Sequence, residues 1–235
     1  MTTFLLVPGA GLGADAFDDV VAGLVARGHT ATAISLRGLG ERFDDADPDT
    51  DLNDHVDDVV AAVDDQHDVV LVGHSYAASV VWEALPQLED RVAHVMLLGA
   101  VPPPVGTSPF DQLPAEGQQQ VVALADAEGD GWRLPPFTRD LLDAVWGEHG
   151  FDDATYARYR QIAAGHPLAT LQTPMTIAID APTAARQTYI VCLGDPDPTP
   201  ALPHPWQRAL LDTGHWPMLT APMALVDLLE QLPTP

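Results

Sequence analysis

The chain has 235 residues, 46% of them hydrophobic, which is enough to bury one sizeable core; a single domain carrying a subdomain insertion is expected. Acidic residues number 34 against 10 basic ones, all arginine, for a formal charge of −24, and such a surface excludes nucleic acid and anionic lipid as partners. Met1-Thr2-Thr3 and the short apolar run after it do not read as a signal peptide, so none is expected, and no apolar run approaches the roughly 20 residues of a bilayer span. The single cysteine, Cys192, rules out an internal disulfide, so a cytoplasmic protein is expected.

Short apolar runs alternate with longer helical patterns, the signature of a parallel sheet covered on both faces. Strands are expected at 3–7, 30–35, 69–72, 94–98, 188–193 and 208–212, with helices at 15–27, 51–65, 75–88 and 222–232. The first helix runs into Gly28, a plausible C-cap, and the second carries Val56, Val59, Val60 and Val63 on one stripe. The acidic pairs Asp44-Asp45, Asp57-Asp58 and Asp64-Asp65 lack the Gly-punctuated spacing of a calcium loop and read as solvated surface; no metal is expected. Alternation breaks between about 102 and 182, where Pro-rich turns bracket helical stretches near 112–127 and 140–160. Some 80 residues are too many for a simple crossover. The division expected is a core of 1–101 and 183–235 with a helical cap of 102–182.

Chemistry concentrates at the strand ends. The third strand runs Val69-Val70-Leu71-Val72 into Gly73-His74-Ser75-Tyr76-Ala77 and then a helix, the strand–turn–helix context in which a G-x-S-x-[GA] serine is presented as a nucleophile. The turn demands small residues two before and two after, which Gly73 and Ala77 supply. A serine hydroxyl needs an adjacent base held by a carboxylate, and on such a turn the acid and then the histidine follow in chain order. His215, in Asp212-Thr213-Gly214-His215-Trp216, lies on a loop between the last strand and the last helix. His29 and His55 precede the serine, His166 lies in the cap and His204 is flanked by prolines. His74 is read as packing or making a polar contact. After the fifth major strand, Gly194-Asp195-Pro196-Asp197 offers two acids; Asp195 is preferred and Asp197 is the alternative. For a developing oxyanion, one donor is the N–H of Tyr76. The second comes from the loop Pro8-Gly9-Ala10-Gly11-Leu12-Gly13, with Ala10 first and Gly11 next. That loop misses G-x-G-x-x-G, so no dinucleotide or other cofactor is expected.

Read end to end, the chain resembles the small α/β-hydrolases related to plant methyl esterases and hydroxynitrile lyases, and their bacterial esterase-like cousins. The resemblance rests on Phe4-Leu5-Leu6-Val7-Pro8-Gly9-Ala10, Gly38-Leu39-Gly40-Glu41-Arg42, His55-Val56-Asp57-Asp58, Gly73-His74-Ser75-Tyr76, Pro167-Leu168-Ala169-Thr170 and Thr213-Gly214-His215. It implies an α/β-hydrolase fold of about six mostly parallel strands, with Ser75, Asp195 and His215 as nucleophile, acid and base. Ala10 and Tyr76 would be the oxyanion donors. Lyases of the group carry Thr at the position of Gly9 and Lys just after the histidine, where this chain has Trp216, so cyanohydrin cleavage is not expected. The expected activity is hydrolysis of a carboxylic ester, or a related acyl bond, of a small hydrophobic or aromatic substrate. A thioesterase, lactonase, C–C hydrolase or cofactor-free perhydrolase using the same residues remains an alternative, as does a binding protein with a vestigial triad. The expected partner is a small molecule, and a homodimer is left open. The cap aromatics Trp132, Phe137, Trp146, Phe151, Tyr156 and Tyr159 are divided between cap core and pocket wall.

Overall fold

Runs of Val, Leu and Ile long enough for a strand but too short for a helix, separated by amphipathic stretches, fold into a layered α/β structure. The computed structural model describes residues 1–88, 90–147, 149–196 and 201–232. In chain order the first half comprises β1 (Thr3–Val7), α1 (Asp18–Ala26), β2 (Thr30–Ala33), α2 (Leu52–Val63), β3 (Val69–His74), α3 (Ala77–Leu88) and β4 (Val92–Leu98). The stretch that leaves the sheet holds α4 (Ala115–Glu128), β5 (Arg133–Leu134), α5 (Arg139–Trp146), α6 (Asp153–Ile162), β6 (His166–Pro167) and α7 (Leu168–Gln172). The chain then returns through β7 (Arg186–Cys192), β8 (Gln207–Leu211), α8 (Pro217–Thr220) and α9 (Pro222–Gln231). Among the described residues no helix is long and apolar enough to cross a membrane.

Six strands form one all-parallel sheet in the order β2-β1-β3-β4-β7-β8, while β5 and β6 pair antiparallel apart from it. Successive side chains of a strand point to opposite faces, so each central strand feeds two cores. Leu5, Val7, Val69 and Leu71 pack with Val59, Val63, Val80 and Trp82 of α2 and α3. Phe4, Leu6, Val70 and Val72 pack on the other face with Val20, Leu24, Val226 and Leu229 of α1 and α9. Each such aliphatic side chain taken fully out of water contributes roughly 1.5–3 kcal/mol.

Register decides where the strands stop together. Val7 lies opposite Gly73, Gly73 opposite Leu97, Leu98 opposite Ile190 and Cys192 opposite Leu211. The loops after β1, β3, β4, β7 and β8 therefore emerge along one edge, the carboxyl edge where open α/β sheets bind ligands.

Local chemistry explains the element ends. Asp51 caps α2 by accepting from the N–H groups of Asn53 and Asp54, and the Asp54 carboxylate accepts from the Asp51 N–H in return, so part of the acidic run serves the helix start. The helix expected over 15–27 begins instead as a 3-10 turn at Ala14–Phe17, and Gly28, at φ +86, follows its C-terminus as expected. The helical stretch expected over 140–160 is broken at Gly147 (φ +53) and Gly150 (φ +82), which separate α5 from α6.

Candidate active site

Ser75 occupies the turn between β3 and α3 with φ +53, a left-handed conformation that costs a non-glycine residue on the order of 1–3 kcal/mol. Close packing holds it there. A Cβ on Gly73 would lie 2.6 Å from the Ala77 carbonyl oxygen and 2.6 Å from Val81 Cγ2, so only glycine lets α3 begin so close to the strand. A Cβ on Gly9 would lie 2.9 Å from His74 Nδ1 and 2.9 Å from the Ser75 Cβ, which brings the first loop directly against the turn. The Ser75 N–H donates to the Leu98 carbonyl at 2.9 Å and ties the turn to β4.

The Ser75 hydroxyl lies 2.9 Å from His215 Nε2, and His215 Nδ1 lies 3.0 and 3.2 Å from the two carboxylate oxygens of Asp195. A carboxylate only accepts, so Nδ1 carries the ring proton and Nε2 presents its lone pair to the serine O–H. The His215 and Asp195 side chains are 6% and 7% exposed, so water competes little for these bonds. Gly99, at φ +72, leaves the space beside the pair; a Cβ there would lie 3.3 Å from His215 Nδ1 and 3.5 Å from Asp195 Oδ2. The alternative acid, Asp197, lies outside the described residues. His74 makes the polar contact expected of it: its buried Nε2 donates to the His215 carbonyl at 2.8 Å. Burial, with His215 beside it, pushes the His74 pKa well below the usual histidine range, so the ring is neutral.

The backbone N–H groups of Ala10 and Tyr76 have no protein acceptor among the described residues, and both residues line the cavity over Ser75. Gly11, the second option for a donor, has its N–H bound to His166 Nδ1 at 3.2 Å. Of Ala10 and Gly11, only the Ala10 N–H has no protein acceptor among the described residues. The Tyr76 hydroxyl donates to His55 Nδ1 at 2.9 Å, and His55 Nε2 donates to the Arg37 carbonyl at 2.8 Å. Burial raises the Tyr76 pKa and lowers that of His55, so both are neutral.

Above Ser75 lies a cavity of about 390 Å³, walled by Phe110, Leu124, Phe137, Leu141, Trp146 and Leu171 among others. Among the described residues no Asp, Glu, Arg or His side chain lines it; the polar side chains there are Ser75, Tyr76, Ser79, Gln112 and Gln120. The aromatics divide as expected. Phe137 and Trp146 form wall, with the Trp146 ring 5.3 Å from that of His215. Phe151 and Tyr159 are buried with Trp216, and Trp132 stacks on the Arg133 guanidinium at 4.1 Å. Phe110, Gln112, Gln120 and Leu124 were not legible as lining residues. The helix α4 shows little segregation of apolar from polar side chains, so no sequence stripe marks its inner face.

A profile described as the alpha/beta hydrolase family matches residues 4–228. The carbendazim hydrolyzing esterase of Nocardioides sp. (strain SG-4G) is 25% identical over 248 aligned positions, covering 99% of this chain and 100% of that protein. Pheophorbidase of Raphanus sativus is 30% identical over 131 positions, 54% of this chain and 50% of that one. Among solved structures, an extracellular alpha/beta-hydrolase from a Paenibacillus species superimposes with a TM-score of 0.83 at 22% identity, over 97% of this chain and 98% of that one. With the six-stranded parallel sheet and its flanking helices, the profile match from first strand to last helix means that this chain belongs to the alpha/beta hydrolase family.

Proposed function

We propose that this protein is a serine esterase that cleaves a carboxylic ester of a small, uncharged, hydrophobic or aromatic substrate through an acyl-enzyme on Ser75. The observation that carries this reading is the hydrogen-bonded series Ser75–His215–Asp195, with the serine oxygen opening into an apolar cavity. Ser75 Oγ attacks the ester carbonyl while its proton passes to His215 Nε2. The tetrahedral oxyanion is received by the N–H groups of Ala10 and Tyr76, each worth on the order of 3–4 kcal/mol of transition-state stabilisation. Asp195 steadies the imidazolium. That proton then goes to the departing alkoxide as the C–O bond breaks. Water, deprotonated by His215, attacks the acyl-enzyme, and the carboxylic acid leaves with Ser75 restored.

The stretch 102–182 acts as a cap that supplies most of the cavity wall. The lining, uncharged among the described residues, on a chain of formal charge −24, favours neutral esters over acyl groups borne on polyanionic carriers. The esterase named among the relatives supports ester hydrolysis as the reaction type. Gly9, with no room for a side chain, and Trp216, 3% exposed within an aromatic cluster, speak against the lyase reading.

The test is a panel of p-nitrophenyl esters and thioesters with Ser75→Ala as control. Neutral esters turned over by the wild type, with turnover and fluorophosphonate labelling both lost in Ser75→Ala, are the expected outcome. Turnover that survives Ser75→Ala, or a folded wild type that hydrolyses nothing and takes no label, would sink the reading.

A further inference from the structure

The buried histidine His166 lies 155 residues from the loop that it touches. It is 1% exposed and belongs to β6, outside the six-stranded sheet. Gly11 N–H can only donate, so His166 Nδ1, 3.2 Å away, must be the unprotonated ring nitrogen. The ring proton is therefore on Nε2, which donates to Thr170 Oγ1 at 2.8 Å. The Thr170 hydroxyl in turn donates a hydrogen bond to the Pro167 carbonyl at 2.7 Å. The tautomer of His166 is thus fixed from both sides. Burial, with His55 nearby, holds its pKa well below the usual histidine range and keeps Nδ1 an acceptor.

The consequence falls on the neighbours. Gly11 is held at φ +73, with its N–H on His166 and its carbonyl accepting from Ala164 N–H at 2.8 Å. The peptide N–H one residue earlier, that of Ala10, has no protein acceptor among the described residues, and Ala10 lines the cavity. The other donor residue, Tyr76, lays its ring edge-on to the same imidazole at 4.7 Å. Both elements of the oxyanion site thus rest on one side chain. We propose that His166 is a positioning residue for oxyanion stabilisation: by accepting from Gly11 N–H and buttressing the Tyr76 ring, it aims the Ala10 and Tyr76 N–H groups at the reacting carbonyl. The proposal rests on the esterase reading given above.

The experiment compares wild type, His166→Asn, His166→Phe and Thr170→Val. Asparagine places Oδ1 where Nδ1 stood and keeps the acceptor; phenylalanine keeps the ring and removes it. Four quantities are measured: kcat and KM for a neutral p-nitrophenyl ester, and inhibition by an aryl trifluoromethyl ketone and by its methyl ketone parent. The trifluoromethyl ketone adds to a serine as a hemiketal oxyanion, whereas the parent binds as an intact carbonyl. Removing a whole oxyanion donor lowers kcat by about 10²–10³-fold, so misaiming one by His166→Phe is expected to lower kcat about 10–100-fold with KM nearly unchanged. Binding of the trifluoromethyl ketone should weaken by a similar factor and that of the methyl ketone hardly at all. His166→Asn should recover most of the loss. Thr170→Val, which frees the ring to change tautomer, should show a smaller loss of the same kind, and it carries the test if His166→Phe does not fold.

Equal weakening of both ketones, or unchanged kcat in folded His166→Phe and Thr170→Val, would overturn the proposal. So would an asparagine variant as impaired as the phenylalanine one. A wild type that neither hydrolyses esters nor takes up the trifluoromethyl ketone would instead remove the esterase reading, and this proposal with it.

Discussion

At Asp195 a single atom decides the outcome. The carboxylate accepts from His215 Nδ1, and replacing it with asparagine can place an N–H against that nitrogen, turning the imidazole into the tautomer whose Nε2 carries a proton and cannot act as base toward Ser75. Asp195→Asn is expected to lower kcat by about 10⁴-fold with little change in fold, checked by steady-state kinetics beside circular dichroism. A loss under about tenfold would mean that another carboxylate serves His215. Gly9 gives the complementary case. A methyl group 2.9 Å from the Ser75 Cβ has nowhere to go without moving the turn, so Gly9→Ala should destabilise the fold by about 1–3 kcal/mol and depress kcat as well. Urea unfolding and turnover check the two effects together. Ser75, Asp195 and His215 were legible because each follows a strand in a fixed chain order. Ala10 was already preferred to Gly11 on the sequence, but the bond that occupies the Gly11 N–H was not legible. It depends on His166, which no local pattern connects to the first loop.

Among the elements, strands were easier to read than cap helices. The six strands of the sheet stand close to where the sequence placed them. The central β1, β3, β4 and β7 were clearest, since a strand buried on both faces is mostly apolar, whereas the edge strands β2 and β8 mix in polar, exposed residues. The cap helices bury only part of themselves, and α4 and α5 together bury two side chains, Ala125 and Leu142, among the described residues. Their inner faces line a cavity rather than a core, so the sequence bears a weaker stamp there. The break at Gly147 also bears on the cavity wall. It ends α5 just after Trp146, whose ring faces both His215 and Phe137 at 5.3 Å. Trp146→Ala is expected to raise KM for aryl esters about 3–10-fold, the worth of one aromatic contact, while bulkier acyl groups gain relative to small ones. Competition assays with paired esters check this. An unchanged preference would place the substrate elsewhere in the cavity.

For the whole molecule, charge and buried histidines set the response to solution conditions. With a formal charge of −24, the surface repels itself even though several arginines are paired, as Arg27 is with Asp227 and Glu230 and Arg42 with Asp45 and Asp58. Raising salt to about 1 M should raise Tm by screening that repulsion, and a fall in Tm would show that the ion pairs outweigh it. The pH dependence runs through His55, His74 and His166, whose folded pKa values all lie below the ordinary value of about 6.5. Below that value the unfolded chain takes up protons that the folded chain refuses. Their contribution to stability is therefore present above about pH 6.5 and is lost as pH falls from there toward the lower folded values. Tm measured between neutral and mildly acid pH should fall, and His166→Asn should make that decline shallower.

The most direct test of the central claim is rapid-quench mass spectrometry of the enzyme mixed with a neutral p-nitrophenyl ester. An acyl mass on the peptide containing Ser75, formed at least as fast as turnover and absent from Ser75→Ala, is the result expected. Steady turnover with no acyl group on Ser75, and an equal rate in Ser75→Ala, would contradict it.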